Sequence, residues 1–148
     1  MNGKYMAYVG SYSYTGKAKG ITVFDVDVKN GTFRERCEME VDNSSYVIAS
    51  SDGKTLYSIA DEGVVSFRIL QNGSLARLNS APIRGMRGCH LCTDMEDKYV
   101  FVSGYHDGKT TVLSLNKDGS VGEIVDEVYH KGYGSVAERN FRSHITCT

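Results

Sequence analysis

The sequence predicts an all-β fold. The expected form is a partial β-propeller of about three four-stranded antiparallel blades, the first lacking its inner strand, plus the first strand of a fourth. Three observations predict it. A hairpin unit repeats: CHLCTDMEDKYVFVSG at 89–104 restates YVIASSDGKTLYSIAD, placing Tyr46 on His90, Lys54 on Lys98 and Tyr57 on Phe101 at one offset of 44, a period that belongs to propeller blades and similar stacked arrays. The turn markers KNGT, QNGS and KDGS recur with Gly31, Gly73 and Gly119 spaced by 42 and 46 residues. Ten Tyr, sixteen Gly, one Pro and no Trp suit a chain of many strands and tight turns, and no window sustains a helical period.

Taken in order, the first blade covers 4–42. Tyr5, Ala7 and Val9 alternate against Met6 and Tyr8, a Gly/Lys-rich loop follows, and strands at 21–28 and 33–41 flank the Asn30-Gly31 turn, whose glycine supplies the positive φ of a tight hairpin. The second blade, 43–84, is a four-strand meander of YVIASS, TLYSIA, VVSFRIL and a run near 75–81, with turns at Asp52-Gly53, Asp61-Glu62-Gly63 and Asn72-Gly73. The third, 85–132, repeats it as HLCTDM, YVFVSGY, TTVLSLN and 123–129. Residues 133–148 form a long loop ending in HITCT, which aligns with HLCTD as an opening inner strand. Three blades and a stub do not close a ring, so the chain is expected to be the N-terminal part of one longer propeller domain. Self-association is expected through the apolar flanks this leaves open.

At 148 residues with 41% hydrophobic content the chain has the makings of one cored domain. A formal charge of −1 argues against a nucleic-acid or anionic-membrane binder, which concentrates Lys and Arg on one face. No run reaches the roughly 18 apolar residues of a membrane span, and the N-terminus alternates like a strand where a signal peptide carries an apolar block. The expected location is the cytoplasm. Cys89 and Cys92 have the spacing of a zinc knuckle, but positions i and i+3 of a strand point to opposite faces, so Cys37, Cys89, Cys92 and Cys147 are read as reduced packing residues. P-loop, Rossmann, G-x-S-x-G and calcium-loop motifs are absent.

The meander sorts its loops onto two rims. One carries short stereotyped turns. The other carries SYSYTGKAKG, ADEG, SGYHDGK, RGMRGC and HKGYGSVAERNFRS, variable in length and rich in Tyr, His, Arg and acidic groups, and binding residues concentrate on such loops. The inner strands start at this second rim, so Tyr46, His90 and His144 share one repeat position and are expected to converge on the mouth of a central channel. Arg84, Arg87, Arg139 and Arg142 lie on loops entering the inner strands, and guanidinium groups suit a small anionic substrate. Arg139 is the preferred anion ligand, and solvated loops are the competing reading for Arg84 and Arg142. Tyr105-His106-Asp107-Gly108 and Asp61-Glu62 are read as ordinary exposed turns.

YVGSY, SYVIASSDGKTLYSIAD, GCHLCTDMEDKYVFVSGY and SVAERNFRSHITC together resemble the lactonase, seven-bladed propeller family. That family includes propeller-type 6-phosphogluconolactonases and carboxy-muconate lactonizing enzymes. The most specific piece is Glu138-Arg139 with His144, and the His90 motif comes second. This chain has Ser143 where the family commonly has Pro, and Asn140 where it has Gln. The resemblance implies a channel site with His144 and Arg139 among the residues contacting substrate. Together with the repeat alignment and the loop reading, this gives His144 and Arg139 as catalytic residues and His90, Arg87, Tyr46 and Glu138 as substrate-binding. It implies a small anionic sugar lactone as substrate, with a place in carbohydrate metabolism and the pentose phosphate pathway, and requires neither metal nor cofactor. The 148 residues alone are expected to be inactive. A non-catalytic small-anion binder and a muconate-type cyclase or isomerase are the competing readings.

Overall fold

The computed structural model describes residues 5–136, 138 and 141–148. Eleven strands and no helix appear among them. β1 (Tyr5–Gly10), β2 (Gly20–Asp27) and β3 (Thr32–Glu40) form the first sheet. β4 (Val47–Ala49), β5 (Thr55–Ile59), β6 (Gly63–Ile69) and β7 (Leu75–Pro82) form the second. β8 (His90–Thr93), β9 (Tyr99–Gly104), β10 (Lys109–Leu115) and β11 (Val121–Tyr129) form the third. Every sheet is an antiparallel meander in chain order. The pairings β2–β3, β6–β7 and β10–β11 each break register at a matching place, between Val23 and Phe24, Ser66 and Phe67, and Val112 and Leu113, and β10–β11 shifts again between Leu113 and Leu115. A bulge kinks and twists its strand, and its recurrence equates β2 with β6 and β10. The first sheet therefore starts at the second strand of the repeat.

The hairpin turns differ in one detail from the tight two-residue form expected at Asn-Gly. Only the glycines have positive φ, 80° at Gly73 and 87° at Gly119, and Gly73 N–H donates to Leu70 O while Leu70 N–H donates to Ser74 O. That is a type I turn followed by a left-handed glycine bulge. The preceding Asn72 and Asp118 keep ordinary φ because their side chains accept bonds from the serine two residues on, at 3.0 Å to the amide in both turns, the local bonding that favours these residues in turns.

The core is two layers between three sheets. Ile21 and Val23 of the first sheet meet Leu56, Val65 and Phe67 of the second, with Met6, Tyr8 and Met39 packed alongside. On its other face the second sheet sets Tyr57, Ile59 and Val64 against Leu91, Val100, Val102 and Leu113 of the third. All five residues of β5 are buried as a result. Leu56, Tyr57 and Ile59 are its large buried side chains, and burial of each contributes about 1.5–3 kcal/mol. The outermost faces have no such cover: Tyr5, Val9 and Phe33 on the first sheet and Tyr99 on the third are exposed.

Residues 144–148 carry no strand ladder. They run alongside β8 instead, through contacts of Ile145 with Cys89 and of Thr148 with His90 and Cys92.

Candidate active site

Three loops of the variable rim are tied together by bonds from main-chain amides. Ile83 N–H donates to Glu62 O at 2.9 Å, joining the β7–β8 loop to the β5–β6 turn. Met86 N–H donates to Asp107 Oδ2 at 2.6 Å, joining the same loop to the β9–β10 turn. A cavity of about 460 Å³ opens between the β1–β2, β7–β8 and β9–β10 loops, lined by Tyr12, Met86, Arg87, Cys89, Tyr105 and His106.

His144 stands beside this cavity. Its ring stacks on Tyr105 at 4.3 Å and 17°, and its Nδ1 lies 2.8 Å from the Tyr105 carbonyl oxygen. A carbonyl can only accept, so Nδ1 carries the proton and Nε2 of the neutral ring keeps a lone pair. Tyr105 also meets His106 edge to face at 5.3 Å, which makes a short aromatic stack on the cavity wall.

His90 and Tyr46 do come together, with ring centroids 4.6 Å apart. The position beside His90 in the next segment, however, is taken by Cys147, whose sulfur is 3.5 Å from His90 Nε2. His144 sits on Tyr105, so the three aligned side chains form a touching pair and a separate imidazole. His90 Nδ1 accepts a long 3.4 Å bond from Thr148 N–H. This leaves the proton on Nε2 facing Cys147, the reverse of the His144 tautomer.

Arg87 is held from two sides. Its Nη1 donates to Asp61 Oδ1 at 2.8 Å, and its guanidinium carbon lies 4.9 Å from the Tyr12 ring centroid. Glu138 is exposed in a turn, and Arg139 lies outside the described residues. Arg142 rests on Phe141. Arg84 reaches Glu127 at 3.7 Å over a second cavity of about 430 Å³. There the ammonium of Lys109, 3% exposed, is satisfied by Glu127 Oε1 at 2.7 Å and by the Arg84 carbonyl oxygen.

Several participants were not legible as such. Asp61 and Tyr105 read from the sequence as turn residues, and their partners are distant in sequence. The cysteines need correcting too. Cys147 is exposed, so it is not a packing residue. Cys89 and Cys92 do not point apart, because Cys89 precedes β8 and escapes strand alternation. Both sulfurs face the 145–148 segment, Cys89 Sγ at 3.3 Å from Ile145 O and Cys92 Sγ at 3.6 Å from Thr148 Oγ1. Burial pushes the Cys89 thiol pKa upward, which keeps it protonated.

The 148 residues are 33% identical, over 147 positions, to a 6-phosphogluconolactonase of Bacillus subtilis, a match covering 95% of this chain and 42% of the relative. A solved structure of a candidate 6-phosphogluconolactonase from Bacteroides fragilis superposes with a TM-score of 0.87 at 31% identity, covering 95% of this chain and 40% of that one. A second such structure, from Bacteroides uniformis, gives 0.88 at 25% identity, covering 97% and 43%. The chain thus spans about two fifths of the length of these relatives. A family model described as lactonase, 7-bladed beta-propeller, matches residues 6–148, and the chain belongs to that family.

Proposed function

We propose that the protein hydrolyses the ester of a sugar lactone such as 6-phosphogluconolactone, with His144 as general base. The observation that carries this is the 2.8 Å bond from His144 Nδ1 to the Tyr105 carbonyl, which fixes the ring and leaves Nε2 able to take a proton beside the cavity. In this mechanism Nε2 removes a proton from water as the water oxygen attacks the lactone carbonyl carbon. Arg87, together with Arg139, holds the substrate phosphate or stabilises the oxyanion of the tetrahedral intermediate. The ring C–O bond then breaks, and the departing oxygen takes the proton from the imidazolium.

The site is expected to need blades beyond these three sheets, so the 148 residues alone turn over little substrate. A phosphorylated sugar is confined by membranes, which favours a cytoplasmic role in the pentose phosphate pathway. No helix among the described residues is long and apolar enough to cross a membrane.

Replacing His144 with Ala in the full-length protein lowers kcat on 6-phosphogluconolactone by about 10²–10⁴-fold, the usual share of general-base catalysis. Progress is followed against the spontaneous opening rate in buffer. Unchanged hydrolysis by His144→Ala removes the base assignment. A wild-type rate no higher than buffer, with the hydroxy acid still bound, leaves only a binding platform, and turnover of muconates in place of lactones assigns a cyclase.

A further inference from the structure

We propose that Asp61, Asn43 and Tyr12 form a positioning set for Arg87, so that the anion grip of the site is built jointly by loops of the first two sheets; this rests on the lactonase reading above. Asp61 Oδ1 accepts a hydrogen bond from Arg87 Nη1 at 2.8 Å. The same carboxylate is itself fixed, because Asn43 Nδ2 donates to both of its oxygens, at 3.1 and 2.9 Å. Asn43 Oδ1 in turn accepts from the amides of Ser13 and Tyr14 at 2.9 and 3.1 Å, and Asn43 N–H donates to Ser13 Oγ at 3.0 Å. Four residues far apart in sequence thus form one bonded chain, Ser13 to Asn43 to Asp61 to Arg87.

The geometry is that of a holder and more than a charge neutraliser. Asp61 occupies one edge of the guanidinium and the Tyr12 ring covers one face, at 4.9 Å. The Arg87 side chain remains about one third exposed (33%) and lines the 460 Å³ cavity. Among the described residues its Nε and Nη2 have no protein partner, and two adjacent donors of one fork are what bidentate capture of a phosphate or carboxylate requires. Asn43 keeps its place at a φ of 53°, a conformation uncommon for any residue but Gly and tolerated best by Asn and Asp. Backbone outliers of this kind persist where surrounding structure over-determines them and are frequent at functional sites.

The test is a double-mutant cycle in the full-length protein, read by kcat/KM on 6-phosphogluconolactone and by calorimetric binding of 6-phosphogluconate, which is stable to hydrolysis. Arg87→Ala and Asp61→Asn are each expected to weaken binding about tenfold, the size of one oriented charge-assisted bond, and the double variant to be no worse than Arg87→Ala alone. Asn43→Gly retains the left-handed backbone and loses the amide, and is expected to follow Asp61→Asn; it also serves should Asp61→Asn fold poorly. Full additivity of Asp61→Asn with Arg87→Ala overturns the proposal, as does an Asp61→Asn variant with lowered melting temperature and wild-type binding, the pattern of a purely structural tie. If wild-type protein hydrolyses no lactone, the lactonase reading fails, while the binding cycle still decides whether Asp61 acts through Arg87.

Discussion

At the scale of single residues, the imidazoles and one phenol show how environment assigns roles. Two histidines that align in sequence but part in the fold hold opposite tautomers, because His144 Nδ1 faces a carbonyl and His90 Nδ1 faces an amide N–H. No composition rule separates them, since the partner is chosen by folding. Tyr57 is 1% exposed between the second and third sheets. Burial first, and then the nearby Asp97 carboxylate, push its phenol from 10.0 up to about 12. A raised folded pKa means the folded state holds its proton more tightly. That contribution is fully present below pH 10.0 and is lost as pH rises toward about 12. Tyr57→Phe, which cannot ionise, is therefore expected to keep its fold further into this alkaline window than wild type, as followed by circular dichroism against pH. Coincident alkaline transitions would show that another group controls unfolding there. The proposed anion grip illustrates the limit of reading residues one at a time. Arg87 was visible as an arginine on a variable loop, whereas its holders Asp61 and Asn43 depend on a bond across 26 residues and on a backbone angle.

At the scale of elements, the repeat was readable because each strand and turn is specified locally. Alternation marks strands, and the Asn-Gly and Asp-Gly turns recur at every third connection of the repeat, so strand order and the missing inner strand of the first sheet followed from spacing alone. What spacing could not show is how a turn packs on its neighbour. Gly31 and Gly119 occupy equivalent turns at φ 66° and 87°. A side chain at Gly31 would meet nothing within 4 Å, while one at Gly119 would collide with Thr55 of β5. Gly31→Ala is expected to cost about 1 kcal/mol for the left-handed backbone. Gly119→Ala adds overpacking to that, for about 2–4 kcal/mol in all. Urea unfolding of the two variants distinguishes them, and equal losses would mean that Thr55 yields without strain. The same turn supplies a carbonyl from Asp118 to Arg68 at 3.4 Å, so it acts as a clasp between sheets as well as a reversal of chain direction.

At the scale of the whole molecule, two ends of a stack are uncovered. Tyr5, Val9 and Phe33 at one end and Tyr99 at the other are 57%, 44%, 61% and 41% exposed, on faces that would lie against further sheets in a seven-bladed ring. Apolar faces of this sort drive association. The 148 residues prepared alone are expected to sediment with an apparent mass that rises with concentration, and Phe33→Lys to reduce that rise; a concentration-independent monomer would contradict it. The uneven cover of the three sheets has one more consequence. The second sheet alone is buried on both faces, so its five-residue β5 strand can open only if both neighbours let go, whereas either terminal sheet can detach at the cost of a single layer. Stability along the stack is therefore graded from the middle outward, as in a linear array with nearest-neighbour coupling. Amide protons of β5 are the last to exchange with solvent, and the outer strands breathe first.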